Sequence, residues 1–154
     1  MVKIVEICMI QLLTPIPMIN KKKVISFGII CFNEELNVAP AYKELIETTN
    51  SIKKYNYEFI FVDNGSNDNT RGEIRKISQK DKRVSGVFLS RNFGPESSSQ
   101  ASLDYAKGDA YIMYEGDMQD PPVVILDFIK EWEKGFSVVV GVREKIDDNF
   151  LMTI

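Results

Sequence analysis

The sequence predicts an α/β fold, a mostly parallel sheet flanked by helices, and three observations carry that prediction. From Val24 onward, apolar runs of four to eight residues alternate with longer segments of helical period. The runs are near-continuous rather than alternating, as expected of parallel strands buried on both faces. Polar and charged clusters follow the carboxyl end of each run, which is where open α/β sheets gather their ligands.

The elements follow in order. Val24 to Phe32 (VISFGIICF) is the first predicted strand, followed by Asn33, Glu34 and Glu35 as a loop. A helix is expected over about 38–55, with Leu45, Ile46 and Ile52 on one side. Tyr57 to Val62 is the second strand, and Asp63 to Thr70 is a dense cluster of turn formers. A charged helix with Ile74 and Ile77 turned inward runs to about Gln79, and Val84 to Leu89 is the third strand. Pro95 suits the first position of a helix reaching Ala106, which Gly108 closes. Ala110 to Tyr114 is the fourth strand, Pro121 and Pro122 open a helix to Lys134, and Phe136 to Val142 is the fifth strand.

The whole chain has 154 residues, 44% hydrophobic and 27% charged, with a net charge of -3. That suffices for one core, since a domain of this size hides about 68 to 70% of its unfolded surface. The acidity argues against a nucleic-acid partner, whose binding rests on many Lys and Arg contacts to phosphate. The sequence contains no His, so the usual neutral-pH base, the Ser-His-Asp and Cys-His systems and imidazole zinc sites are excluded. Cys8 and Cys31 form neither a CxxC nor a framework and read as free thiols in a reducing compartment.

No apolar run reaches the roughly 18 to 20 residues of a membrane span. Lys3, Glu6, Gln11, Pro15 and Pro17 break up the N-terminal stretch, which lacks a small-residue cleavage site and does not read as a signal peptide. Residues 1–23 are therefore expected to be an appendage, 24–146 the domain, and 147–154 an incomplete C-terminal end.

The strongest local signal is Glu115-Gly116-Asp117-Met118-Gln119-Asp120-Pro121-Pro122. Two carboxylates one residue apart, with an amide oxygen two further on, suit a hard divalent cation that prefers oxygen ligands. Gly116 leaves room for a ligand. Asp120 reads equally as the cap of the helix that Pro121 begins. In Asp63-Asn64-Gly65-Ser66-Asn67-Asp68 a strand-end carboxylate is suited to a nucleobase ring N–H, while Asn-Gly is also an ordinary turn and Asn67 or Asp68 a helix cap. Arg91 and Arg143 each bring a guanidinium to a strand end, suited to phosphate oxygens or to a salt bridge with a nearby acid. Neither a GxGxxG nor a GxxxxGK[ST] motif occurs, so a bound nucleotide must be held by acids, metal and arginine.

At Phe32-Asn33-Glu34, Val62 to Asp68, Ser90-Arg91-Asn92-Phe93-Gly94, Glu115 to Pro122 and Gly141-Val142-Arg143 the sequence resembles the family 2 glycosyltransferases. The subgroup is that of dolichol-phosphate mannose synthase and the undecaprenyl-phosphate sugar transferases. Its pattern differs at Ile30, Asn64, Glu115 and Pro95, where the family usually has Pro, Asp, Asp, and Lys or His.

The resemblance implies a Rossmann-like GT-A fold that binds a nucleotide-diphosphate sugar. It implies that Phe32, Glu34, Asp63, Asn64, Gly116 and Arg143 bind the nucleotide sugar, with Asp63 on the base and Arg143 on the phosphates. Glu115, Asp117 and Gln119 would hold Mg²⁺ or Mn²⁺, and Glu115 and Asp117 would be the catalytic pair. Transfer with inversion to a polyprenyl phosphate or cell-envelope glycan would place the protein in the cytoplasm, in peripheral association with the inner face of the membrane. A polyprenyl phosphate would be its own nucleophile, which suits a chain without His. The chain is expected to be the donor-binding portion of a longer transferase; the alternative is a non-catalytic remnant or interaction module. A signalling receiver domain fits less well, because its phosphoacceptor Asp and its Lys are absent from the ends of the third and fifth strands.

Overall fold

The computed structural model describes residues 8–11 and 22–141. Val142, Arg143 and the 147–154 end lie outside the described residues. The elements are β1 (Cys8–Gln11), β2 (Val24–Cys31), α1 (Val38–Asn50), β3 (Asn56–Asp63), α2 (Thr70–Lys80), β4 (Val84–Phe88), α3 (Pro95–Tyr105), β5 (Ala110–Glu115), α4 (Val124–Glu133) and β6 (Val138–Val140). One sheet runs in the order β4-β3-β2-β5-β1-β6.

The expected parallel core is present. β2 pairs with β3 from Val24↔Asn56 to Cys31↔Asp63, and with β5 from Ile25↔Ala110 to Ile30↔Glu115, parallel in both cases. The order reverses at β2: β3 and β4 lie to one side and β5 to the other. Such a reversal leaves a crevice at the carboxyl ends of the two diverging strands.

The two faces of the sheet are built differently. On one, Ile25, Phe27 and Ile29 of β2 meet Phe59, Phe61, Ile112 and Tyr114, all fully buried, beneath Leu45 of α1, Ile74 of α2 and Phe128 of α4. Phe27 and Phe59 stack with ring centroids 5.4 Å apart. The opposite face packs against α3, where the buried positions are Ser98 and Ser102. The Ser102 hydroxyl meets the Tyr111 hydroxyl at 2.5 Å, so small polar side chains join this helix to the sheet.

Three boundaries depart from expectation. α1 stops at Asn50, not near Tyr55, because the N–H groups of Ser51 and Ile52 turn back to Thr48 and Thr49 O and the Ser51 hydroxyl donates to Thr48 O. α4 starts at Val124, with Pro121 and Pro122 in the turn before it. Cys8–Gln11, set aside with the N-terminal appendage on sequence grounds, forms a strand antiparallel to both β5 and β6. A four-residue strand near two prolines carries too little periodicity to be recognised, yet its backbone fills the gap between two parallel strands.

Candidate functional site

The site grows from the way three strands end. Gly116 N–H donates to Ile30 O, Asn64 N–H to Cys31 O and Leu89 N–H to Asp63 O, so the loops after β5, β3 and β4 leave the sheet at neighbouring points. At Gly116 a Cβ would lie 2.7 Å from Cys31 Sγ and 2.9 Å from Ile30 O, a clash that only glycine avoids. Gly65 has φ +75° and packs on the Arg91 backbone, where a Cβ would come within 2.2 Å.

The loops after β2 and β3 interlock. Asn33 N–H donates to Ser66 Oγ (2.9 Å), Glu34 N–H to Thr70 Oγ1 (2.8 Å) and Glu35 N–H to Asp68 Oδ2 (3.0 Å). In return Asn67 N–H donates to Asn33 Oδ1 (2.9 Å) and Asn69 N–H to Glu35 Oε2 (2.8 Å). Asp68 Oδ1 also accepts from the Thr70 N–H and hydroxyl at the start of α2. Burial works to raise the Asp68 carboxyl, but the bonds from Thr70 and the Glu35 N–H outweigh it and hold it below its ordinary value.

The loops after β3 and β4 are joined by one buried amide. Asn64, 3% exposed, donates from Nδ2 to Asn92 Oδ1 (3.1 Å) and Gly94 O (3.2 Å), and its Oδ1 accepts the Phe93 N–H (2.9 Å).

A cavity of about 220 Å³ opens between these loops, lined by Ile30, Phe32, Glu34, Asn64, Asn92, Pro95, Glu115, Gly116 and Asp117. It lies at the carboxyl ends of β2 and β5, where the strand order reverses. Six of the sequence-derived site residues therefore share one cavity: Phe32, Glu34, Asn64, Glu115, Gly116 and Asp117. Larger depressions exist. One of about 540 Å³, lined by Lys22, Tyr55, Tyr57 and Arg83 among others, opens at the amino ends of the strands and contains no carboxylate.

Three site residues stand apart. Asp63, fully buried, does not line the cavity: its Oδ1 accepts the Ser66 N–H at 3.0 Å and its Oδ2 pairs with Arg71 Nε at 2.5 Å. Gln119 is exposed and lines a neighbouring depression with Glu44, Glu47 and Met118. The chain turns away after Asp117, because Met118 adopts φ +61° and Asp117 Oδ1 accepts the Gln119 N–H. Arg143 lies outside the described residues. Asp120 is not the helix cap, since the cap position of α4 is Val123.

Among the described residues, no three His, Cys, Asp or Glu side chains converge on a metal position. Glu115 and Asp117 nonetheless share the cavity, and two carboxylates are what Mg²⁺ commonly takes from a protein when substrate phosphates and water complete its shell. The donor chemistry thus fits a hard divalent ion. Asn92 and Pro95 also line the cavity; both lie in or beside the Ser90 to Gly94 motif and could have been nominated with it. Arg71 carries no such signal, standing on a helix eight residues after its partner.

Comparison with known proteins agrees with this architecture. The model of the family described as glycosyl transferase family 2 matches residues 26–151. The chain is 41% identical over 114 residues to the uncharacterized glycosyltransferase YkcC of Bacillus subtilis, covering 74% of this chain and 35% of that protein. It is 35% identical over 119 residues to the bactoprenol glucosyl transferase of Shigella phage SfV, covering 77% and 38%. Among solved structures, the mannosyltransferase PcManGT from Pyrobaculum calidifontis, in complex with GDP-Man and Mn²⁺, superposes with a TM-score of 0.56 at 18% identity, over 71% of this chain and 32% of that one. S. aureus TarS 1-349 in complex with UDP-GlcNAc also gives 0.56, at 19% identity, over 73% and 31%. These likenesses show the GT-A fold. The chain spans 35 to 40% of the length of the relatives compared. With the fold, the strand-end motifs and the family match in agreement, the chain belongs to glycosyl transferase family 2.

Proposed function

We propose that the chain forms the donor site of an inverting glycosyltransferase that uses a nucleotide-diphosphate sugar and a polyprenyl phosphate acceptor. The observation that carries this reading is the single cavity shared by Phe32, Glu34, Asn64, Glu115 and Asp117 at the point where the strand order reverses. Relatives named for bactoprenol glucosyl transfer, and solved neighbours in complex with GDP-Man or UDP-GlcNAc, support the donor and acceptor classes.

Phe32, 39% exposed, offers a flat apolar wall for a base or ribose. Glu34, oriented by the Asn37 amide at 2.6 Å, offers an acceptor for ring or sugar hydroxyl donors. Asp63 would reach a base only by releasing Arg71 or Ser66, so its first role is to shape the loop. Arg143 is assigned to the phosphates, as the motif implies; Gln119 would have to leave its neighbouring depression to serve as a third oxygen ligand.

Glu115 and Asp117 would hold Mg²⁺ or Mn²⁺, which supplies positive charge against the diphosphate as it leaves. The acceptor's phosphate oxygen attacks the anomeric carbon from the face opposite the leaving group. The bond from that carbon to the diphosphate oxygen breaks, and the configuration inverts. No protein base is required, since the nucleophile is already an anion.

Among the described residues no helix is long and apolar enough to cross a membrane; the proposed setting is the inner face of the cell membrane. Titration calorimetry of UDP, GDP and their sugars, with and without Mn²⁺, tests the reading. Binding that requires Mn²⁺ and is lost in Asp117→Asn is expected, and absence of any metal-dependent nucleotide binding overturns it. Binding without sugar transfer to a short-chain polyprenyl phosphate would assign the chain the binding role alone.

A further inference from the structure

Arg91 departs from the general pattern of charge at the carboxyl end of the sheet. That end is rich in acids, with Glu34, Glu35, Asp63, Asp68, Glu115, Asp117 and Asp120 on its loops. Arg71, the other arginine near it among the described residues, is locked to Asp63. Arg91 is exposed and has no carboxylate partner among the described residues; its guanidinium lies 4.0 Å from the Phe93 ring centroid and donates to Asn92 O at 3.3 Å. A salt bridge, the ordinary fate of a surface arginine among acids, is not what holds it.

The position is also built rather than incidental. The Arg91 backbone is the floor against which Gly65 packs, and a Cβ there would come within 2.2 Å of it. The next residue, Asn92, lines the cavity and accepts from the buried Asn64 amide, while Gly94 N–H donates to Asn92 Oδ1 at 2.8 Å. The guanidinium is held over the Phe93 ring and is exposed, and a guanidinium carries five donors in a planar fork. A planar fork with no carboxylate partner among the described residues, one residue before the cavity-lining Asn92, is a receptor for a phosphate oxyanion. Arg75 provides the contrast: it stacks on Phe88 in the same way, but it sits mid-helix on α2 and does not line or adjoin the cavity loops.

We infer that Arg91 is a substrate-specificity residue that binds a phosphate group brought to the cavity rim, either the acceptor's phosphate monoester or the donor's diphosphate. This rests on the transferase reading for the identity of the cavity, but not on turnover. Both sources share the same chemistry, and the experiment separates them. The full chain is titrated with farnesyl phosphate, with farnesol as the uncharged control, and separately with UDP plus Mn²⁺. Arg91→Ala, Arg91→Lys and Arg75→Ala are then compared with the parent, and thermal midpoints verify that each folds.

The expected result is that Arg91→Ala weakens one of the two phosphate ligands about tenfold or more. Arg91→Lys should recover only part of the loss, since an ammonium lacks the fork, and Arg75→Ala should bind as the parent does. Loss confined to farnesyl phosphate assigns the acceptor; loss confined to UDP assigns the donor. If the parent binds both ligands and Arg91→Ala binds both equally well, the inference fails while the transferase reading stands. Farnesyl phosphate binding that depends on Arg91 without any nucleotide binding would keep the inference and discard that reading. Failure of the parent to bind either ligand overturns both.

Discussion

Arg71 Nε lies 2.5 Å from Asp63 Oδ2, tying the last residue of β3 to the first turn of α2, and the same guanidinium donates to Leu89 O just after β4. One side chain thereby joins the carboxyl ends of two strands and fixes the loop that carries Asn64. Removing it strands a carboxylate whose side chain is 0% exposed.

Arg71→Met is therefore expected to cost about 2 to 3 kcal/mol, below the value of about 3 to 5 for a fully dry pair because Arg71 is 36% exposed. Urea denaturation measures it. The double variant with Asp63→Asn should regain most of the loss; no loss in the single variant would mean that the pair contributes nothing.

Gly116→Ala places a methyl group 2.7 Å from Cys31 Sγ and 2.9 Å from Ile30 O. One neighbour is backbone of the central strand, so relief must come from moving the β5 end that carries Glu115 and Asp117. We expect about 1 to 3 kcal/mol of destabilisation and a larger proportional loss of Mn²⁺-dependent nucleotide binding. Calorimetry beside a denaturation curve reads both, and binding equal to the parent's would show that the loop tolerates the shift.

Asn64→Asp tests a departure from the family pattern. The amide donates to Asn92 Oδ1 and Gly94 O, so a carboxylate there faces two acceptors where it had two hydrogen-bond partners. The expected cost is about 1 to 3 kcal/mol at pH 7, shrinking as the pH falls and the new carboxyl gains a proton. A cost independent of pH would point to packing instead.

Asp81 supplies a pH dependence of opposite sign. The Arg83 guanidinium, above all, holds its carboxyl well below the usual carboxylate range, against burial and with help from the Tyr42 hydroxyl at 2.6 Å. The folded value is the lower one, so the stabilisation is complete above the unfolded value of about 4 and fades as pH falls towards the folded value. Asp81→Asn should be less stable than the parent at pH 7, with the gap closing below about pH 4. Parallel stability curves across that range would refute the assignment.

Much of this was legible in the sequence, for identifiable reasons. β2, β3 and β5 each hold a near-continuous apolar stretch, and a strand buried on both faces can hardly look otherwise. The rule that ligands gather at strand ends placed Glu34, Asn64, Glu115 and Asp117 at one end of the sheet before any coordinates, and the family resemblance added Phe32. Gln119 did not join them, because motif spacing assumes an ordinary backbone while Met118 takes a left-handed one. The Asp63–Arg71 pair was invisible, since a contact across a strand, a loop and a helix leaves no periodic trace. The β1 strand escaped because four residues are too few to show a period, although its backbone pairs with both β5 and β6.

The interlocked loops after β2 and β3 have a thermodynamic consequence. Five reciprocal hydrogen bonds join residues 33–35 to residues 66–69 and Thr70, so two cavity walls from distant parts of the chain are already ordered before a ligand arrives. Binding then forfeits little conformational freedom on either wall. Substitutions at Asn33 and Ser66 should be strongly non-additive, because losing either one loosens the whole clasp.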